Sequence, residues 1–407
     1  MWGTAMSSPA TADVVIVGGG IISASTAYAL AQRGITDVSI YERDTVGAGG
    51  TGKSSSIVRC HYGVKSLAAL AAKSLTTFEN AESIFGMDIG FRQTGYVVGV
   101  GPDNIDALRA NLADQQAVGV ETREIDHAQV AEMWPVAYLD DFAAFGYEPR
   151  GGYADAYQTA QAFAVTARTA GVRLHQSAAV KAIRVQDNKL RGVTLADGTE
   201  VSAPTVVIAA SLWSSPLLAA CGIDVPLRTH RGQVILVEPG VDAADRVRDV
   251  PVLSDLVSLQ YIRAEIDDKI LVGNSDLAVL EPADPDNYFN GATPEYLDRA
   301  VTKLAHRLPG MPNASVSSSY AGCYDITPDF NPVITRAASI EGLILAVGFS
   351  GHGFKIAPAV GELVADLVQY ERSTDPNICE RDFRLERFAE GDLLTSAHPY
   401  TGASQMR

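Results

Sequence analysis

With 407 residues, 47% of them apolar, the chain has material for roughly two to three domain-sized cores and is not disordered as a whole. Its 32 basic and 48 acidic residues leave a net charge of −16, which argues against sequence-independent nucleic-acid binding and requires any anionic substrate to meet a locally basic pocket. Cys60, Cys221, Cys323 and Cys379 lie far apart with no C-x-x-C pair, so no disulfide framework or zinc site follows, and a reducing cytoplasm is the expected compartment.

Residues 1–10 hold neither a basic run nor a long apolar run and read as a loose tail, not as a secretion signal or anchor. Nowhere does an apolar stretch reach the ~18 residues of a membrane span. A strand–turn–helix–strand unit follows: an apolar strand at Val14–Val17, a glycine turn, helical periodicity over Ala24–Ala31 with Gly34 at the C-cap, and a second strand at Val38–Tyr41. Residues 66–85 predict one long amphipathic helix, and Gly95–Val100 begins a strand-rich section. Next come a helix over about Tyr157–Thr169, a strand at Val172–His175, hairpins turning at Asp187–Asn188 and Asp197–Gly198, and an apolar strand at Thr205–Ala210. Residues 225–322 read as strands interrupted by a Pro/Asp loop at 280–297, and 343–368 return to strand, glycine turn and helix.

The expected fold class is therefore α/β plus α+β: a doubly wound, Rossmann-like nucleotide-binding domain with an inserted antiparallel β-sheet substrate domain. The boundaries expected are 11–85, 145–220 and 323–385 for the first domain, 86–144 and 221–322 for the second, and tails at 1–10 and 386–407.

The first turn, "GGGIIS", supplies Gly18 and Gly20 at two positions of a G-x-G-x-x-G pattern, with Ser23 in place of the third glycine. Those glycines allow a tight turn and let backbone N–H groups and a helix N-terminus approach a pyrophosphate. Glu42 ends the second strand, where a carboxylate accepts hydrogen bonds from a ribose and disfavours a 2′-phosphate. The loop "GAGGTGKSSSIVRCHYG", Gly47–Gly63, exceeds the needs of a plain NAD domain. Its Ser54, Ser55, Ser56 and Lys53 suit the longer FAD, with pyrophosphate and ribityl oxygens to hold.

Four segments in order, "VVIVGGGIISASTAYALAQRG…IYERD", "TGKSSSIVRCHYG", "GCYDITPDFNPVI" and "GFSGHGFKIAPAVGELVADLV", give the chain a specific resemblance. It resembles the D-amino-acid oxidase/glycine oxidase/sarcosine oxidase family of FAD-dependent amine oxidoreductases, most of all its sarcosine oxidase and dimethylglycine dehydrogenase branch. The resemblance implies that the "SGHGFK" turn runs under the flavin, with Gly351, Gly353 and Phe354 close to the ring and the next helix aimed at its pyrimidine end. Gly18, Gly20, Ile21, Ile22, Glu42, Arg43 and Val180 would hold the rest of the cofactor. Lys355, counted with both cofactor and substrate, and Arg59 would grip a substrate carboxylate, Arg59 by a bidentate fork. Tyr261 would lie beside that carboxylate, His352 would shape the turn, and Arg263 is a further candidate for a second substrate charge.

Two departures stand out. The segment that tethers FAD in monomeric sarcosine oxidases reads "AGCYDITPD", with Gly322 in the tethering place and Cys323 one residue late, so non-covalent FAD is expected. Where an oxygen-activating lysine is expected, "KILVGNSD" offers Leu271 or Val272, with Lys269 too early, so O2 and another electron acceptor both stay open. The implied reaction is oxidation of a secondary amine, an N-methyl or N-carboxymethyl glycine, by hydride transfer to flavin N5 followed by imine hydrolysis. The alternatives are a flavin-binding subunit of a heteromeric amine or proline dehydrogenase, which would have a partner subunit, and an NAD-linked dehydrogenase. No constellation for metal or for Ser/His/Asp chemistry occurs.

Overall fold

Val14–Val17 is a run of four β-branched residues, and all four are buried, as a central parallel strand requires. It lies inside a six-stranded sheet in the order Val333–Arg336, Leu343–Val347, Thr205–Ile208, Val14–Val17, Val38–Tyr41, Arg173–His175. Every neighbour pair is parallel except Val333–Arg336 with Leu343–Val347. Alternate residues feed two cores. Val14 and Ile16 join the helices Ile21–Gln32, Lys65–Glu79, Ala156–Thr169 and Gly353–Gln369, while Val15 and Val17 meet an antiparallel layer through Ile183, Leu190, Val193 and Val201. This computed structural model describes residues 10–402.

A second sheet of eight strands runs Ser315–Ile326, Arg228–Glu238, Ile270–Asn274, Gln260–Ala264, Val252–Asp255, Tyr96–Val100, Ala144–Glu148, Arg123–Ile125. It is antiparallel save for one parallel seam, Val252–Asp255 beside Tyr96–Val100, where two stretches distant in sequence join edge to edge. The mixed α/β class expected from the sequence is thus present, with that seam as the departure from a purely antiparallel sheet. Trp134 sits fully buried in this sheet's core and donates from Nε1 to Pro251 O at 3.0 Å.

Two local expectations need correction. The helix expected over 66–85 is two, Lys65–Glu79 and Ala81–Phe85, broken at Asn80. There the side-chain Nδ2 and the backbone N of Asn80 both donate to Thr76 O, and the residue leaves helical geometry at φ −106°, ψ 17°. The C-terminal segment expected as a tail from 386 is anchored as far as Thr401. Arg387 is fully buried and forks onto Asp329 at 2.7 and 3.0 Å. Further on, Thr401 N donates to Asn104 Oδ1 at 2.7 Å, and the Tyr400 hydroxyl meets His61 Nε2 at 2.8 Å. Of the expected N-terminal tail, residues 1–9 lie outside the described residues, and residue 10 belongs to a short strand, Ala10–Thr11, paired with Val201 and Ser202. Among the described residues no helix is long and apolar enough to cross a membrane.

Candidate active site

A cleft of about 580 Å³ opens at the carboxyl ends of the central parallel strands. The turn after Val14–Val17 forms its floor. Gly18 stands at φ +105°, and a Cβ there would lie 2.6 Å from Ala209 O, so the turn admits glycine alone. Gly20, Ile21 and Ile22 line the same floor, where the helix Ile21–Gln32 begins. Glu42 closes one side: its Oε2 accepts from Gly19 N at 2.5 Å and its Oε1 from Asp44 N at 2.8 Å. Arg43 lines the rim, paired with Asp286 at 2.7 Å and stacked 4.1 Å over Trp213. Trp213 Nε1 also donates to Asp286 at 2.9 Å, so the Pro/Asp loop, with Pro285 and Tyr288 in the lining, borders this cleft.

Lys53, Ser54, Ser55 and Val180 line the cleft, and Gly351, Gly353 and Phe354 form its far end. Ser56 does not reach it. That residue turns inward at φ +57°, and its N and Oγ bond back to Ser54 Oγ and O at 3.0 and 3.3 Å. Three lining residues went unnoticed in the sequence. Thr51 Oγ1 accepts from Ile21 N at 3.0 Å, Asp325 Oδ2 accepts from Gly348 N at 2.9 Å and so pins the last glycine turn, and Tyr324 stands between two cavities. The first is readable in hindsight as a threonine facing a helix N-terminus, but the other two depend on distant strands. Cys323 lies in the cleft wall with its thiol pushed up to about 11, chiefly by burial, while Lys53 packs against Gly322.

The second cavity, about 80 Å³, shares Ser55, Tyr324 and Gly351 with the cleft. Arg59, Tyr261, His352 and Lys355 all line it. Lys355 therefore belongs to the small cavity and is not among the cleft residues. Lys355 is a buried residue in the first turn of the helix Gly353–Gln369, and no hydrogen bond or ion pair of its ammonium is seen among the described residues. Burial, and then the Arg59 charge, hold its pKa well below the ordinary lysine value. Arg59 is buried too, donating to His61 O and lying 4.5 and 5.7 Å over the rings of Tyr62 and Tyr96. Burial works to lower its pKa, but Tyr96, Tyr62 and Glu148 outweigh that and keep the guanidinium charged.

His352 is held neutral by burial and by the Lys355 and Arg59 charges, with Nδ1 3.3 Å from the Tyr62 hydroxyl. Tyr261 lies across Gly273, its partner on the neighbouring strand, where any Cβ would overlap the ring. Arg263 does not enter either cavity. It donates to Ser55 O at 2.7 Å and pairs with Glu265 at 2.7 Å, so it fixes the serine loop instead of facing a ligand. Leu271 and Val272 are core residues, and no lysine besides Lys355 lines the small cavity.

The long cleft, with glycine floor, backbone donors, a carboxylate at the second strand and a serine loop, fits FAD along its length. Comparisons with known proteins agree. The chain is 29% identical over 369 residues to 4-methylaminobutanoate oxidase (formaldehyde-forming) of Paenarthrobacter nicotinovorans, covering 88% of this chain and 44% of that one. It thus spans less than half the length of that relative. A sarcosine oxidase subunit beta from Arthrobacter sp is 27% identical, with 94% of this chain and 92% of that one aligned. Among solved structures, the L-proline dehydrogenase from P. horikoshii superposes with a TM-score of 0.86 at 26% identity, over 95% of this chain and all of that one. The family model for FAD dependent oxidoreductases matches residues 13–367, and the chain belongs to that family.

Proposed function

We propose that the chain binds FAD without a covalent tether along the large cleft and oxidises a small amino acid at a secondary amine, of the N-methyl or N-carboxymethyl glycine type. The observation that carries this reading is the pair of buried cations, Arg59 and Lys355, in a cavity whose described lining contains no aspartate or glutamate. Two like charges buried side by side are costly, and an anion entering the cavity relieves that cost. A carboxylate on Arg59 and Lys355 leaves the rest of the molecule to Tyr261, Tyr324 and the wall shared with the cleft. Bound FAD supplies the acceptor for the hydride that leaves the substrate carbon beside nitrogen. The chain's own residues orient the substrate and keep water out, and neutral His352 with buried Tyr261 adds no competing charge.

Gly18, Gly20, Ile21, Ile22, Glu42, Arg43, Ser54, Ser55, Val180, Gly351, Gly353 and Phe354 are the cofactor-holding residues in this reading. The Cys323 thiol, held protonated in the wall, is a poor nucleophile toward the ring.

Anaerobic titration with sarcosine, dimethylglycine, iminodiacetate, glycine, proline and D-alanine tests the proposal. Flavin absorbance should bleach with an N-substituted glycine, and readmitted air then separates an oxidase from a dehydrogenase. A yellow protein that none of them bleaches overturns the substrate class. A second reading, a flavin-binding subunit of a larger assembly, draws on the end-to-end match to a protein named as a subunit. Copurifying chains, with little turnover by this chain alone, would favour it.

A further inference from the structure

Behind the wall of the small cavity lies a carboxyl group that the proposed reaction does not use. Glu148 ends the strand Ala144–Glu148 and stands directly opposite Tyr96 in an antiparallel pair. Directly opposed residues put their side chains on the same face, with Cβ atoms about 5 Å apart. Tyr96 lines the cavity, and the Arg59 guanidinium lies over its ring, so Glu148 sits one side-chain layer behind the carboxylate-binding arginine. One oxygen of Glu148, Oε2, accepts from Cys60 N at 2.7 Å, at the residue next to Arg59. The other, Oε1, is buried and has no hydrogen-bond partner. Such an oxygen is costly as part of an anion and much less so as part of a neutral acid.

We infer that Glu148 is a positioning residue linked to the carboxylate site, taking up one proton when an anion docks on Arg59 and releasing it when the anion leaves. The inference rests on the reading of Arg59 and Lys355 as that site. Two carboxylates compete for the field of one guanidinium. An empty site leaves Arg59 to stabilise ionised Glu148, whereas a docked anion cancels that field, and the buried acid then holds its proton more tightly. Coupling of this kind is reciprocal, so ionised Glu148 weakens anion binding by the factor by which the anion raises its proton affinity.

The surroundings allow Glu148 to titrate near neutrality. Burial pushes its pKa up to about 7, against the opposing effects of Cys60 N and Arg59. The other groups on the packed elements stay fixed in this range. His61 is held neutral down to about 3 by burial and Arg59. Burial keeps Cys60, Tyr62 and Tyr96 protonated, and Tyr400 on the far side of His61 likewise. Arg150 is engaged by Glu79 at 2.7 and 2.5 Å. Lys355, on the cavity side, is the other group whose proton an anion would stabilise, and the experiment has to separate the two.

Propionate, a carboxylate with no ionisable amine, is the probe, with binding to the FAD-loaded protein followed by calorimetry from pH 6 to pH 8. At pH 8 the Glu148→Gln variant should bind it about fivefold more tightly than the wild type, as one pK unit of coupling gives there, and at pH 6 the two should coincide. Parallel profiles for the two proteins would overturn the inference. Should Glu148→Gln not fold, proton uptake at pH 7, measured in two buffers of different ionisation heat, decides with Lys355→Met. With propionate raised until it saturates Lys355→Met, uptake that persists assigns the proton to Glu148, and binding without uptake removes the inference. Failure of propionate to bind the wild type at any pH would remove the carboxylate site itself, and the inference with it.

Discussion

Lys355 carries its charge into a place where each neighbour opposes it: a buried wall, a second cation in Arg59, and the positive end of its own helix. In its proposed role such a residue serves binding at the expense of stability. Lys355→Met is expected to raise the KM for a carboxylate substrate by about two orders of magnitude, with thermal stability unchanged or higher. Steady-state kinetics and a melting curve on one preparation check both halves. Glu148 has its own pH signature. Its pKa is raised on folding to about 7, so the unfolded chain ionises it first as pH rises, and stability falls between the ordinary glutamate range and about 7. The loss amounts to about 3 kcal/mol by proton linkage. Denaturant melts of Glu148→Gln at pH 5 and pH 8 should show a smaller drop than the wild type.

At this scale the sequence was legible where its motifs carried the family resemblance. Arg59 and Lys355 were found from their motifs and do meet in one cavity. Ser56 looked equivalent to Ser54 and Ser55, but a positive φ turns it away, and one-letter spacing carries no sign of φ.

Among the elements, the segment after 386 changes how the molecule is held. Arg387 and Asp329 form a fully buried pair, Leu394 N donates to the same carboxylate at 3.0 Å, and Asn111 and Asn104 receive the chain further on. The segment thus runs from the loop after Thr327 to the helix Ile105–Ala117, tying the neighbourhoods of both sheets. Removing one partner of a buried pair typically costs about 3–5 kcal/mol. Arg387→Ala should lose about that much in denaturant melts, and the double variant Arg387→Met with Asp329→Leu clearly less. Tyr400→Phe deletes the hydroxyl's contacts to His61, whose backbone carbonyl receives Arg59, and to Asn111. Its expected effect is a KM several-fold higher with kcat little changed, measurable with any carboxylate substrate. None of this was readable beforehand. Polar residues without periodicity read as a tail, and what orders them is contacts 58 positions away, from Arg387 to Asp329, and 339 away, from Tyr400 to His61.

On the scale of the whole molecule, the parallel sheet was legible and the larger sheet was not. Short runs such as Val14–Val17 and Thr205–Ile208 can scarcely be anything but buried parallel strands. The order of eight strands, with its parallel seam between Val252–Asp255 and Tyr96–Val100, is set by pairings that no local pattern records. Charge is legible at this scale as well. A net −16 repels an anion until it reaches Arg59 and Lys355, so added salt should raise kcat/KM for a carboxylate substrate at low ionic strength. A neutral amine lacking the carboxylate should show no such rise.

With Trp2, which lies outside the described residues, replaced by Phe, the two remaining indole rings are a pair of separate optical reporters. Trp213 lies on the cleft rim beneath Arg43, and Trp134 is sealed in the core of the eight-stranded sheet. A flavin in the cleft quenches the first by proximity, whereas the second changes only when that core admits water. On heating, a rise in emission intensity therefore marks cofactor departure, and a red shift marks collapse of the sheet. Two separate temperatures would mean that the folded chain outlives its cofactor, and a single one that the flavin is part of what holds the larger sheet together.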